Sequence, residues 1–153
     1  MQRLFLLFFP FLFLATGLSA QDYVTENELP KRLQKRFDAA KKQYVAQQAD
    51  VAAVTVKKIL EREPRFIDGW LFYADLLLQE GQYQGSEEGF QKAVDMAPAY
   101  APLAYYWLAT AEMQVGQFAE AEKHLTQFLG FADVDGKYKV RAERLLEDAE
   151  FAS

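Results

Sequence analysis

The chain has 153 residues, 51% of them hydrophobic, and its 22 acidic against 17 basic side chains give a net charge of −5. That balance excludes a surface built to neutralise phosphates, so neither a nucleic-acid partner nor an anionic membrane surface is expected. No cysteine is present, so the fold must hold without disulfides.

Residues 1–20 read as a targeting segment. Arg3 supplies a short basic start, Leu4 to Leu14 is an almost wholly apolar run, and Ser19-Ala20 before Gln21 offers a cleavage site. The run is shorter than the ~20 apolar residues a bilayer span needs. A cleaved signal peptide is the first reading and an uncleaved anchor the alternative; no cysteine follows the run to carry a lipid. Export to the periplasm or the periplasmic face of the outer membrane is therefore expected. Removing the segment takes away one cation, Arg3, and leaves enough chain to bury a single core.

Residues 21–27 form a short polar lead, and Thr25 to Glu28 offers a helix start. Leu29, Leu33, Phe37, Ala40 and Tyr44 then recur at spacings of four, four, three and four, one apolar stripe on a first helix. Lys31, Arg32, Lys35, Arg36, Lys41 and Lys42 take the rest of its surface, either as a solvated face or as a site for an acidic partner. Further helices are predicted over Ala49–Glu63, Phe66–Glu80, Gly85–Ala97, Tyr100–Val115 and Phe118–Leu129. After a loop over Phe131–Gly136, a seventh helix follows in 137–151, with Tyr138, Ala142, Leu145 and Ala149 at helical spacing among alternating charges. No segment alternates with period two for long enough to make a strand.

One pattern is written twice. Trp70, Ala74, Gly81, Gln82, Tyr83, Ser86 and Phe90 match Tyr105, Ala109, Gly116, Gln117, Phe118, Ala121 and Leu125 at a constant offset of 35 residues, while Pro64 and Pro98 lie 34 apart. Shifted back by 34, the pattern lands on Arg36, Ala40, Gln47, Ala49, Ala52, Val56, Ile59 and Pro64, a degenerate copy in which Arg36 replaces the aromatic and Gln47 the glycine. Small residues at Ala74 and Ser86 let two antiparallel helices approach closely, and Trp70, Tyr83 and Phe90 fill the space around that contact. Gly81 suits a left-handed turn, and Pro98 ends the second helix.

A unit of ~34 residues with these marks resembles the tetratricopeptide repeat. The resemblance implies an all-α fold: a solenoid of three helix-turn-helix units (28–64, 65–98 and 99–131) closed by a C-terminal capping helix (137–151). The third unit departs from the pattern at Glu112, where an aromatic or leucine is usual, and lacks a closing proline. The tail Glu150-Phe151-Ala152 is similar to the end of the repeat block of larger bacterial envelope proteins that continue into a β-propeller and an OmpA-like domain, so the chain is either a stand-alone relative or part of such a protein.

No catalytic group assembles from the sequence, and a non-enzymatic, cofactor-free protein is expected. His124 has Glu120 one turn before it, but no second histidine and no cysteine complete a metal site. Asp133, Asp135 and Gly136 lack the spacing and closing glutamate of a calcium loop, which leaves a turn. No phosphate-binding glycine loop or nucleophile elbow occurs, and no small-molecule substrate is expected.

Binding remains. The family resemblance places the concave wall on the first helix of each unit: Phe37, Lys41 and Tyr44; Asp68, Leu71, Asp75 and Leu78; Leu103, Tyr106, Thr110 and Met113. Such a wall suits an amphipathic helix or an extended peptide. The Lys and Asn pattern with which some family members clamp C-terminal carboxylates is missing at Leu71, Asp75, Tyr106 and Thr110. The expected activity is that of an envelope scaffold for a protein or peptide partner, associated with outer-membrane or secretion machinery; self-association through the same wall is the alternative. Alternatively these side chains pack on each other or on the terminal helices. Trp107, outside the main packing positions, is either an exposed anchor or a filler for the extra residue near Pro98 to Pro102.

Overall fold

Pro30 decides where the first helix begins. The structure, a computed structural model, describes residues 22–153, so the predicted signal segment lies outside it. A proline disfavours helical backbone at the residue before it, and Leu29 is accordingly extended, with ψ 142°. The helix predicted from Thr25 is thereby split into a 3-10 turn, Glu26–Glu28, and helix α1, Lys31–Val45. The Glu28 carboxylate accepts from the Thr25 backbone N–H and hydroxyl, both at 2.8 Å. The first of these bonds does most to hold its carboxyl below the usual glutamate range.

Among the described residues six more α-helices follow: α2 Ala49–Leu60, α3 Ile67–Gln79, α4 Tyr83–Met96, α5 Leu103–Val115, α6 Phe118–Leu129 and α7 Gly136–Ala152. The predicted order stands, with α4 starting two residues earlier than expected. Consecutive helices pack on one another as α1 with α2, α3 with α4 and α5 with α6, and α7 lies on the last pair.

The three hairpin turns are copies. Gln47, Gly81 and Gly116 take left-handed backbone, at φ 60°, 71° and 79°. In each, the glutamine that follows donates its backbone N–H back to the helix: Gln48 to Gln43, Gln82 to Leu77 and Gln117 to Glu112, at 2.9, 2.8 and 2.9 Å. This closure satisfies carbonyls that the helix end leaves unpaired. It also explains why the degenerate first unit keeps the geometry although it lacks the glycine.

Close approach within each pair runs through its smallest residues. Ala40 and Ala52, Ala74 and Ser86, and Ala109 and Ala121 are all fully buried. In the second pair the Ser86 hydroxyl donates to the Ala74 carbonyl at 2.9 Å, and a Cβ added at Gly89 would lie 2.9 Å from that of Ala74. The core forms two clusters: Leu29, Leu33, Phe37, Val56, Ile59 and Phe66 in the first, and Phe90, Tyr105, Leu108, Leu125 and Phe128 in the second. Helix α3 joins them, giving Leu76 to one and Ala74 to the other.

Helix α7 covers the flank that the third pair would otherwise expose. Asp135 caps it by accepting from the Lys137 backbone N–H at 2.8 Å, so the predicted loop, with Asp133 in a turn, ends as the cap of the helix that Gly136 opens. Ala142 and Ala149 are fully buried, and Tyr138 meets Tyr106 and Trp107 with ring centroids at 5.3 and 5.8 Å. Trp107 is therefore neither an exposed anchor nor a filler beside Pro98 to Pro102; it wedges the capping helix against α5.

Candidate functional site

Helices α1, α3 and α5 open successive pairs, and α3 and α5 also touch directly, as do α5 and α7. Stacked pairs of this kind curve into a concave surface, and the sequence expects its wall on their first helices. The wall residues expected from the sequence fall into three groups.

Two belong to the core. Phe37 is 3% exposed and stacks edge-on with Phe66 and Phe72. Tyr106 is 8% exposed, enclosed by Phe128, Trp107 and Tyr138. Aromatic area spent on neighbouring rings is not offered to a partner, so both are corrected from groove contacts to supports of the groove. For Tyr106 the alternative of packing on a terminal helix is the one that holds.

A second group is partly buried and apolar. Leu71, Leu78, Leu103 and Met113 pack against the second cluster while keeping some surface. Thr110 lies among them, but its hydroxyl donates to the Tyr106 carbonyl at 2.8 Å, a bond within its own helix.

The third group is polar and already engaged. Asp75 is half-buried and accepts from the Gln79 side-chain amide at 2.8 Å; Gln79 in turn accepts from the Tyr44 hydroxyl at 3.0 Å. Burial pushes the Asp75 carboxyl up, against the opposing effect of that amide. Asp68 accepts from the Tyr100 hydroxyl at 2.7 Å and from the Glu26 backbone N–H at 2.8 Å. Desolvation first, and the Asp68 carboxylate second, push the Tyr100 phenol up to about 12. Lys41 pairs with Glu26 and, at 3.1 Å, with Asp38; the bond to Glu26 is the main cause raising its ammonium above the usual lysine value.

Glu26, Gln79 and Tyr100 thus bond to expected wall residues, and Gln34 to Glu26, although the sequence did not single them out. Gln34 was legible in principle: it lies two helical turns before Lys41 and one repeat before Asp68. Glu26 carried no periodic signal, because the lead lies outside the repeat.

His124 has a partner other than Glu120. It is 5% exposed, and its Nδ1 lies 2.9 Å from both carboxylate oxygens of Glu112, itself 2% exposed. The pair joins α5 to α6, so the departure from the pattern at Glu112 is met by a polar partner on the facing helix. A cleft of about 270 Å³ lies between α2 and α4 beside Trp70 and Tyr73 of α3.

Comparison with known proteins bears on this geometry. A family profile described as tetratricopeptide repeat matches residues 77–139. No curated protein matches the chain. Among solved structures, the TPR2B domain of yeast Sti1 in complex with pHsp70 has a TM-score of 0.69 at 19% identity, over 81% of this chain and 100% of that one. The Yersinia enterocolitica type III secretion chaperone SycD, bound to a peptide of the translocator YopD, has a TM-score of 0.69 at 18% identity, over 80% of this chain and 95% of that one. The first such domain of Spaghetti (RPAP3), bound to the HSP90 peptide SRMEEVD, has a TM-score of 0.69 at 15% identity, with 80% and 95% covered. At these identities the likeness is one of fold.

Proposed function

We propose that this chain, a tetratricopeptide-repeat α-solenoid, is a non-catalytic scaffold that holds a peptide or protein partner on its concave wall in the bacterial cell envelope. The observation that carries the reading is the wall itself: Leu71, Leu78 and Met113 leave apolar area partly open, bordered by the Tyr44, Gln79 and Asp75 polar chain. The structures of similar fold, domains of yeast Sti1 and Spaghetti and the chaperone SycD, are seen in complexes with peptides or proteins, which supports the same use here. A partner's apolar side chains would meet the leucines and methionine, and its backbone the polar border.

Export rests on the apolar run Leu4 to Leu14 and the Ser19-Ala20 site. A mature protein beginning at Gln21 in the periplasmic fraction is the expected result, and an intact amino terminus in the cytoplasm contradicts it. Co-purification tests the scaffold itself. Leu78→Asp with Met113→Asp should lose a partner that the unaltered chain retains, with the helical circular dichroism unchanged; a partner retained by the double variant removes the wall from the account.

Two further readings have observations of their own. Self-association through the same wall is one, and the exposed Val45, Val51 and Val54 of α1 and α2 offer further apolar surface for it; concentration-dependent mass would reveal it. Continuation into a larger OmpA-like envelope anchor rests on the resemblance of the tail Glu150-Phe151-Ala152, and the reading frame after Ser153 decides that.

A further inference from the structure

The polar end of the wall is occupied by the chain itself. Residues 22–28 carry three acids, Asp22, Glu26 and Glu28, and no base, and Glu26 meets Gln34 and Lys41 of α1. Val24 donates to the Arg65 carbonyl at 2.7 Å and accepts from the Ile67 N–H at 3.0 Å, and Tyr23 meets Tyr100 edge-on at 5.3 Å. These contacts carry the lead across the loops that open α3 and α5. Glu26 then sits between α1 and α3: its carboxylate pairs with Lys41, its N–H donates to Asp68, and its carbonyl lies 3.5 Å from the Gln34 amide.

Gln34, Lys41 and Asp68 share one register, two turns apart on α1 and one repeat apart between α1 and α3. A segment running along the inner wall would meet the same three side chains. The hold on the lead is also weak by kind. The Lys41 and Glu26 side chains are 41% and 33% exposed, and exposed ion pairs of this sort contribute about 0–1 kcal/mol. From residue 22 to Glu28 no side chain is fully buried.

We propose that residues 22–28 are a displaceable intramolecular ligand: a strap that holds the Gln34, Lys41 and Asp68 end of the wall until an extended acidic segment takes its place. This rests on the wall being the partner site, and it adds that the partner's segment carries a carboxylate to replace Glu26 on Lys41. The strap opens without unfolding the helices, since local opening draws on the few contacts it breaks.

Amide exchange and a peptide added in trans test the proposal on the purified chain. The Val24, Glu26 and Ile67 amides should exchange at least about 100-fold faster than those in the middle of α3, at a rate insensitive to mild urea. Glu26→Lys places like charges on Lys41 and opens the strap. A labelled synthetic peptide of residues 22–30 should then bind Glu26→Lys at least about tenfold more tightly than the unaltered chain, and that binding should weaken by up to about fivefold when Lys41→Ala is added. Strap amides as protected as the α3 core, equal peptide binding by the two proteins, or binding by neither overturns the strap. A displaceable strap on a wall that captures no partner instead removes the scaffold reading and leaves the strap standing.

Discussion

Gln47 shows most directly what the repeat asks of one residue. Left-handed backbone costs an ordinary residue about 1–2 kcal/mol, yet Gln47 adopts φ 60° because the turn bond from Gln48 to Gln43 and the Ala40 and Ala52 contact fix its place. Gln47→Gly should raise stability in urea by about 0.5–1 kcal/mol, the relieved strain less the extra freedom of an unfolded glycine; an unchanged or lower midpoint contradicts this. The buried pair is the opposite case. His124→Ala leaves the Glu112 carboxyl without its partner in a closed site and should cost about 3–5 kcal/mol. Glu112→Leu combined with His124→Leu should recover more than half of that loss, because an apolar pair removes the orphaned group. Equal losses in the single and double variants would show that the pair is not the cause.

Tyr100 supplies a pH dependence whose sign follows from its raised pKa. The folded protein holds the phenol proton to about 12, whereas an unfolded tyrosine loses it near ~10. The contribution is full below the unfolded value and is lost as pH rises through about 10 to 12. Tyr100→Phe should flatten the fall in stability across that window relative to the unaltered chain, and parallel pH profiles for the two would refute the assignment.

At the scale of elements, helix pairs were legible because the repeat fixes which residues must be small. Ala40, Ala52, Ala74, Ser86, Ala109 and Ala121 sit at matching positions, and burial at each follows from one shared packing geometry. Gly89 was not legible: it lies one residue outside the matched set, and only the distance to Ala74 reveals its part. Gly89→Ala gains up to about 1 kcal/mol of helix propensity, but its methyl would fall 2.9 Å from the Ala74 Cβ on a rigid neighbouring helix. Overpacking of that kind costs about 1–3 kcal/mol, so the net effect should be a loss; a rise in the urea midpoint would mean that α3 and α4 separate freely.

The helix boundary at Pro30 and the strap illustrate what periodicity misses. Thr25 to Glu28 has the spacing of a helix start, and it does cap a short turn, but Pro30 prevents that turn from continuing into α1. Of the wall positions carried over from the repeat, Leu71, Leu78, Leu103 and Met113 are partly buried apolar residues packed against the second cluster. Register places a side chain on a face; it does not say what else covers that face. Phe37 and Tyr106 were hidden by the neighbouring rings, and Lys41 and Asp68 by residues outside any repeat.

Over the whole molecule, the stacked helix pairs hold the proposed wall as one surface. Each pair contacts its neighbours, two clusters share α3, and α7 closes the far end, so the wall is held by the stack and not by the loops. What remains open on it is a modest apolar strip beside a polar, strap-covered end, a division that matches an extended segment with apolar anchors and one acidic group. The most direct measurement places a photoreactive residue at Met113 or Leu78 in living cells, with Glu147 on the outer face of α7 as the control, and identifies what is captured. The account predicts one distinct protein at both wall positions and none at Glu147. Capture of this chain alone, or of nothing at either wall position, would contradict it.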